Sequence, residues 1–202
     1  MINSNLLFRQ GSDIATISEP KSIFARATVT EQFPREVAIY DLNSLLQLLT
    51  FSEGQDIDFG EKSMTIKNDS GTFEYFYCEP TLITAAPTKR IEVEEFFSFS
   101  LTSKDVQMII KIAGLLSAPT ISLKARNGKV VLKVGDRKND SANSFNKVIG
   151  DTDKEFEVLI SSENFKLMPD AYDVKLSVKK FCEFKSKSVT YMIAMEPDST
   201  VA

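Results

Sequence analysis

The stretch Glu36 to Thr50, EVAIYDLNSLLQLLT, spells a strand, a cap and a helix without interruption, and the same grammar returns 120 positions later. Val37, Ile39 and Tyr40 are β-branched or aromatic. Asp41 can accept hydrogen bonds from the amides that follow it, and Leu42, Leu45, Leu46 and Leu49 recur at i, i+3, i+4 and i+7. The spacing predicts a strand, a cap and a short amphipathic helix. Moved along without gaps, Leu159 and Ile160 repeat the strand, Ser161 repeats the cap, and Phe165 and Met168 fall where Leu45 and Leu48 stood. Two copies of one unit are therefore expected, residues 1–88 with the start of a linker and residues 89–202. Length alone would permit one domain or two of about 100 residues each.

Composition narrows the chemistry. There are no histidines, which removes the commonest general base and metal ligand. The two cysteines, Cys78 and Cys182, are far apart and form no C-x-x-C or metal-ligand spacing, so reduced core thiols are expected, with no zinc and no disulfide. No cofactor is implied. A net charge of −4 argues against a chain that grips nucleic acid by phosphate neutralisation over its whole surface; any such contact must be local. No apolar run approaches the roughly 18 residues of a membrane helix.

The rest of the chain reads as short strands around few helices. Leu6 to Phe8, Ile14 to Ile17 and Ile23 to Val29 are strands, with a turn at Gln10 to Asp13 and a break over Glu31 to Arg35 at Pro34. Ile57 to Phe59, Met64 to Ile66 and Phe73 to Tyr77 alternate apolar and polar residues between turns at Gly60 and at Asn68-Asp69-Ser70-Gly71. Leu82 to Pro87, followed by Lys89 and Arg90, is the candidate linker. The second unit opens with a helix from Ser103 to Leu116, with Val106, Ile109, Ile110, Ala113 and Leu116 on its apolar face and Lys104, Gln107 and Lys111 opposite. Asn127-Gly128 between Ile121 to Ala125 and Val130 to Val134 is the strongest hairpin signal in the chain. Strands follow over Phe145 to Ile149, Phe156 to Ile160, Tyr172 to Val178, Phe181 to Phe184 and Val189 to Met195. The helix Ser103 to Leu116 has no counterpart in the first unit, where it would fall before residue 1; a late start of the chain is the expectation.

With these units laid out, VAIYDLN at Val37 to Asn43, NFKLMPDAYDVKL at Asn164 to Leu176 and YMIAMEPDST at Tyr191 to Thr200 resemble the sliding clamps of T-even-type bacteriophages, DNA polymerase processivity factors similar to proliferating cell nuclear antigen. The resemblance implies an α+β DNA clamp fold, two tandem domains of the same topology with antiparallel sheets outside and helices inside. It also implies a homotrimeric ring around duplex DNA, without sequence preference and without catalysis. The implied partners are the C-terminal tail of the DNA polymerase, an ATP-dependent clamp loader and a sigma-like late transcription factor, for which the clamp would be a coactivator. Its place of work would be the cytoplasm of the infected bacterial host.

A ring that encircles DNA needs little affinity to stay on it, and strong phosphate contacts would slow its sliding. Basic groups should then concentrate inward. Lys104, Gln107 and Lys111 on one helical face, Lys166 on the repeat helix and Gln47 on the first helix are the expected DNA-facing residues. Ring closure needs head-to-tail contacts between sheet edges. By resemblance, Phe73, Tyr75 and Phe76 would meet Phe145 and Val148 of the next subunit. Partner tails of this family insert apolar anchors beneath the interdomain linker. The matching positions are Ile23 and Phe24, Leu82 and Ile83, and Ile193, Met195 and Pro197.

Other motifs carry less. Gly54, Gly60, Glu61 and Lys62 have the wrong spacing for a phosphate loop, and Asp136, Asn139 and Asp140 lack the glycine and terminal Glu of a calcium loop. Glu92, Glu94 and Glu95 read as a solvated linker end. Two further classes stay open from residues alone: a duplicated β-rich phage structural or assembly protein, with no inward lysine cluster, and a carboxylate-dependent hydrolase, with two acids converging in a cleft.

Overall fold

Period-two alternation over most of the chain is realised as antiparallel ladders, in a computed structural model that describes residues 1–50, 56–69, 71–89, 91–139 and 141–201. Gly54, Ser70, Arg90 and Asp140, used in the sequence reading, lie outside the described residues. The chain divides into two compact units, Met1–Lys89 and Arg90–Ala202.

In the first unit, β1 (Leu6–Phe8), β2 (Gly11–Ile17), β3 (Ile23–Phe33) and β4 (Val37–Ile39) precede helix α1 (Leu42–Thr50). Strands β5 (Asp56–Phe59), β6 (Ser63–Asn68) and β7 (Gly71–Phe76) then form a meander, followed by a single 3-10 turn at Pro80–Leu82. β1 pairs with β4, Leu6 opposite Ile39, and β2 pairs with β3. β3 is longer than its sequence suggested: the ladder runs to Phe33 and stops before Pro34, which has no amide hydrogen to continue it. Phe33 lies against Phe8, with ring centroids 4.6 Å apart. Asp41 caps α1 as its type predicts, its carboxylate accepting from the Ser44 amide at 3.0 Å and the Ser44 hydroxyl at 2.6 Å. Leu45 is buried against Ile39, Met64 and Ile66, with Leu42, Leu48 and Leu49 packed beside it. Leu46, expected on that face, is 45% exposed. The apolar stripe of α1 runs through Leu48 instead.

The second unit begins with β8 (Glu95–Leu101) and α2 (Ser103–Leu115). A four-stranded sheet follows in the order β11-β10-β9-β12, from β9 (Thr120–Arg126), β10 (Lys129–Gly135), β11 (Phe145–Asp151) and β12 (Phe156–Ser161). After it come β13 (Tyr172–Ser177), β14 (Phe181–Lys185) and β15 (Val189–Ala194), with β8 pairing along β13. β9 and β10 meet in register around Asn127 and Gly128, whose φ angles are +53° and +78°. Both central residues of a type I′ turn need positive φ, and asparagine and glycine tolerate it best. Inward side chains Ile121, Leu123, Val130, Leu132, Val134 and Val158 are buried.

The repeat is visible in pairing. β1 lies against β4 as β9 lies against β12, and β5 to β7 make a meander like that of β13 to β15. Among the described residues, β8 and α2 have no counterpart in the first unit. The helix predicted after β12 does not form. A 3-10 turn at Ser162–Asn164 takes its place, followed by irregular chain with Phe165 and Leu167 buried and Met168 61% exposed. Burial at i and i+2, with Pro169 close behind, does not fit the helical spacing.

Replacing Gly128 by valine forces a β-branched residue into the left-handed region. A loss of about 1–2 kcal/mol is expected, read from the urea midpoint at unchanged m-value.

Candidate nucleic-acid interface

α2 owes its position to both ends of its first turn. Thr102 is the N-cap: its hydroxyl accepts from the Asp105 amide at 3.2 Å, while the Asp105 carboxylate accepts from the Thr102 amide at 3.1 Å, a reciprocal capping box. Asp105 also accepts a charge-assisted hydrogen bond from Lys147 of β11. That bond, chiefly, holds the Asp105 carboxyl below its ordinary value of 3.8, with burial opposing and Thr102 adding to the lowering. Val106 and Ile109 are buried, fixing the rotation of the helix.

With that rotation set, Lys104, Gln107 and Lys111 are all exposed on one face. Gln107 donates to Ser103 at 3.3 Å. Neither lysine is paired with an acid among the described residues, so both ammonium groups face solvent uncompensated. Ile110, predicted for the apolar face, is 38% exposed, so the buried stripe is narrower than its spacing suggested. Gln47 is exposed on α1. Lys166 is exposed too, but on a tight turn rather than a helix, its amide bonded to the Asn164 carbonyl at 2.9 Å.

The other expected positions divide between surface and core. Phe73 and Tyr75 pack on the first unit's core, and the Tyr75 hydroxyl donates to the Asp41 carbonyl at 2.7 Å; burial raises its pKa. Phe76 points the other way and is 66% exposed. β7 and β11 are each an outermost strand of their sheets, and on β11 Val148 is exposed and Phe145 half-buried. Ile23 and Phe24 of β3 are buried. Leu82 is exposed and Ile83 half-buried, on a linker whose carbonyls at Ala86 and Thr88 accept from Arg9 and Arg26 at 2.7 and 3.0 Å. In the second unit Ile193 and Met195 are buried and Pro197 is exposed. Glu94 and Glu95 form ion pairs with Lys179 and Lys175. No group of three or more Cys, Asp or Glu side chains among the described residues is placed to hold a metal ion.

The anchoring pair Asp105 and Lys147 was not singled out from sequence. Half of it was readable, since Thr102-x-x-Asp105 has the form of a capping box. Lys147 was not, because its role depends on β11 turning it inward towards α2.

Two tandem units built this way have the DNA clamp fold. Among solved structures, the β subunit of DNA polymerase III from Pseudomonas aeruginosa matches with a TM-score of 0.69 at 11% identity, over 99% of this chain and 59% of that one. The PCNA2–PCNA3 complex from Sulfolobus tokodaii matches with a TM-score of 0.66 at 14% identity, over 95% of this chain and 89% of that one. Within this class, residues 98–197 match the family described as gp45 sliding clamp, C terminal. The sliding clamp of Vibrio phage KVP40 is 28% identical over 96% of this chain and 92% of its own length, and that of Enterobacteria phage T4 is 27% identical over 98% and 92%. Over nearly its whole length the chain is similar to the T4-type phage sliding clamps.

Substituting Asp105 by alanine removes half of the capping box and leaves Lys147 unpaired. A loss of about 1–3 kcal/mol at pH 7 is expected. Because the fold lowers the Asp105 pKa, the unfolded chain binds more protons in acid, so the contribution is complete above the ordinary value and lost as pH falls through the folded one. Urea unfolding of both proteins across that range should show their difference shrinking as the solution is acidified.

Proposed function

We propose that the chain is one subunit of a homotrimeric ring that encircles duplex DNA and tethers the replicative polymerase for processive synthesis. The observation that carries this reading is the exposed face of α2, where Lys104, Gln107 and Lys111 stand free of acids on a helix fixed at its N-terminus. A chain of net charge −4 that concentrates unpaired cations there can attract phosphates locally without holding them tightly. Lys166 and Gln47 extend the set. The ring performs no chemistry of its own.

The exposed Phe76 and Val148, on outermost strands of their sheets, support a head-to-tail seam in which β7 with Phe73, Tyr75 and Phe76 meets Phe145 and Val148 of the next subunit. One relative of the same fold, the Helicobacter pylori β clamp, has been solved bound to a DNA ligase peptide. In this chain the equivalent ligand is the polymerase's C-terminal tail, with Leu82 and Ile83 as its contacts; Ile23 and Phe24 of the first unit and Ile193, Met195 and Pro197 of the second are assigned to it by family resemblance. An ATP-dependent loader places the ring on DNA, a sigma-like factor uses it as a late-transcription coactivator, and all of this occurs in the cytoplasm of the infected bacterial host. The matches to phage clamps do not favour a duplicated structural protein.

Reversing both Lys104 and Lys111 to glutamate should abolish most stimulation of processive synthesis while the solution mass, by light scattering, stays that of a trimer. Unchanged processivity would remove α2 from the DNA path; a monomeric wild-type chain at micromolar concentration would remove the seam. Separately, Leu82→Asp combined with Ile83→Asp should weaken binding of a polymerase-tail peptide at least about tenfold, the loss expected for a displaced apolar anchor. Calorimetric titration reads this directly.

A further inference from the structure

The four-stranded sheet of the second unit has a second face, turned away from α2. Lys147 marks the inner side, since it reaches Asp105. On the outer side Lys124, Arg126, Lys129, Lys133 and Arg137 line a shallow recess of about 500 Å³ with a single acid, Glu157. A solvated sheet face ordinarily mixes both signs. Here five of the eleven lining residues are cations, in a chain whose net charge is negative.

Part of this arrangement works against folding. Arg126 and Lys129 are directly opposite across the hairpin, a like-charge pair that weakens a sheet. Some of the charge is offset: Glu157 lies 3.6 Å from Lys124 and 3.9 Å from Arg137, Asp151 lies 2.6 Å from Lys129, and Asp198 lies 3.2 Å from Arg137. Arg126 and Lys133 have no acidic partner among the described residues. Lys133 sits between Ser122 and Asn146 on the neighbouring strands, which contribute polar groups without charge.

We propose that this outer face binds an acidic, extended segment of a protein partner. The charge is complementary to a row of carboxylates, and the Thr120 and Ser122 hydroxyls add donors along the same recess. An extended peptide presents alternate side chains to one side, a spacing that suits Lys124 and Arg126, two residues apart on β9, with Lys129 and Lys133 on either side of Val131 on β10. Single-stranded nucleic acid fits less well: it is held by aromatic platforms as well as charge, and among the described residues no aromatic lines this recess. The recess shares no residue with α2 or the linker, so its occupant need not use the residues proposed for DNA or for a polymerase tail.

The test uses the full chain and a fluorescein-labelled synthetic peptide with Asp or Glu at every second position, followed by fluorescence anisotropy at low and raised salt. Wild-type protein should bind it in a salt-sensitive manner. Arg126→Glu combined with Lys133→Glu should weaken binding by about tenfold or more, since each reversed charge changes an attraction into a repulsion. Arg126→Ala with Lys133→Ala should weaken it less, in the same direction, and serves if the reversed pair unfolds. Lys104→Glu with Lys111→Glu should leave it unchanged. Absence of binding to the wild type, equal binding by the double variants, equal loss on reversing the α2 lysines, or displacement of the peptide by an oligothymidylate bound at the same residues would each overturn the proposal.

Discussion

β9 is hydrogen-bonded on both sides, to β10 and to β12, so none of its residues can change face without breaking two ladders. Ile121, Leu123 and Ala125 are thereby committed to the core, and Ser122, Lys124 and Arg126 to the opposite surface. The same constraint passes across the sheet. Leu132 is aligned with Leu123 on one side and with Lys147 on the other, and Lys147 is the inward residue of β11 that reaches α2. The orientation of the helix and the charge on the far face both descend from this one register.

The helix illustrates how a weakly interacting surface is built. Burial of Val106 and Ile109 and the capping box set its rotation, and the residues left outward are long, flexible and polar. Such side chains can follow phosphates without locking onto them, which is all that the proposed ring would require. Overall acidity and local basicity are then parts of one arrangement: acids elsewhere keep the net charge negative, and the few unpaired lysines act over short range because salt screens the remainder.

Much of this was legible in the residues. The Asp41 cap, the Asn127-Gly128 turn and the paired strands follow from chemistry confined to a few neighbouring positions, which sequence spacing reports directly. Errors arose where a distant partner decided the outcome. Phe165 and Met168 match Leu45 and Leu48 in position, yet the core takes Phe165 and Leu167, and the helix is lost. Leu46 and Ile110 fit helical stripes but lie at their margins, where burial depends on what packs against the helix. The basic outer face escaped notice because its members alternate with apolar residues along two strands. They become neighbours only when the hairpin closes.

β11 also has a mechanical meaning. Lys147, which holds the first turn of α2, lies between Phe145 and Val148, the residues assigned to the seam between subunits. The edge proposed as the seam and the helix proposed to face DNA are thus joined through a single strand of one unit. A force that peels β11 from β10 would be felt at α2 through the Lys147–Asp105 ion pair, so loosening that edge strand would also loosen the first turn of the helix.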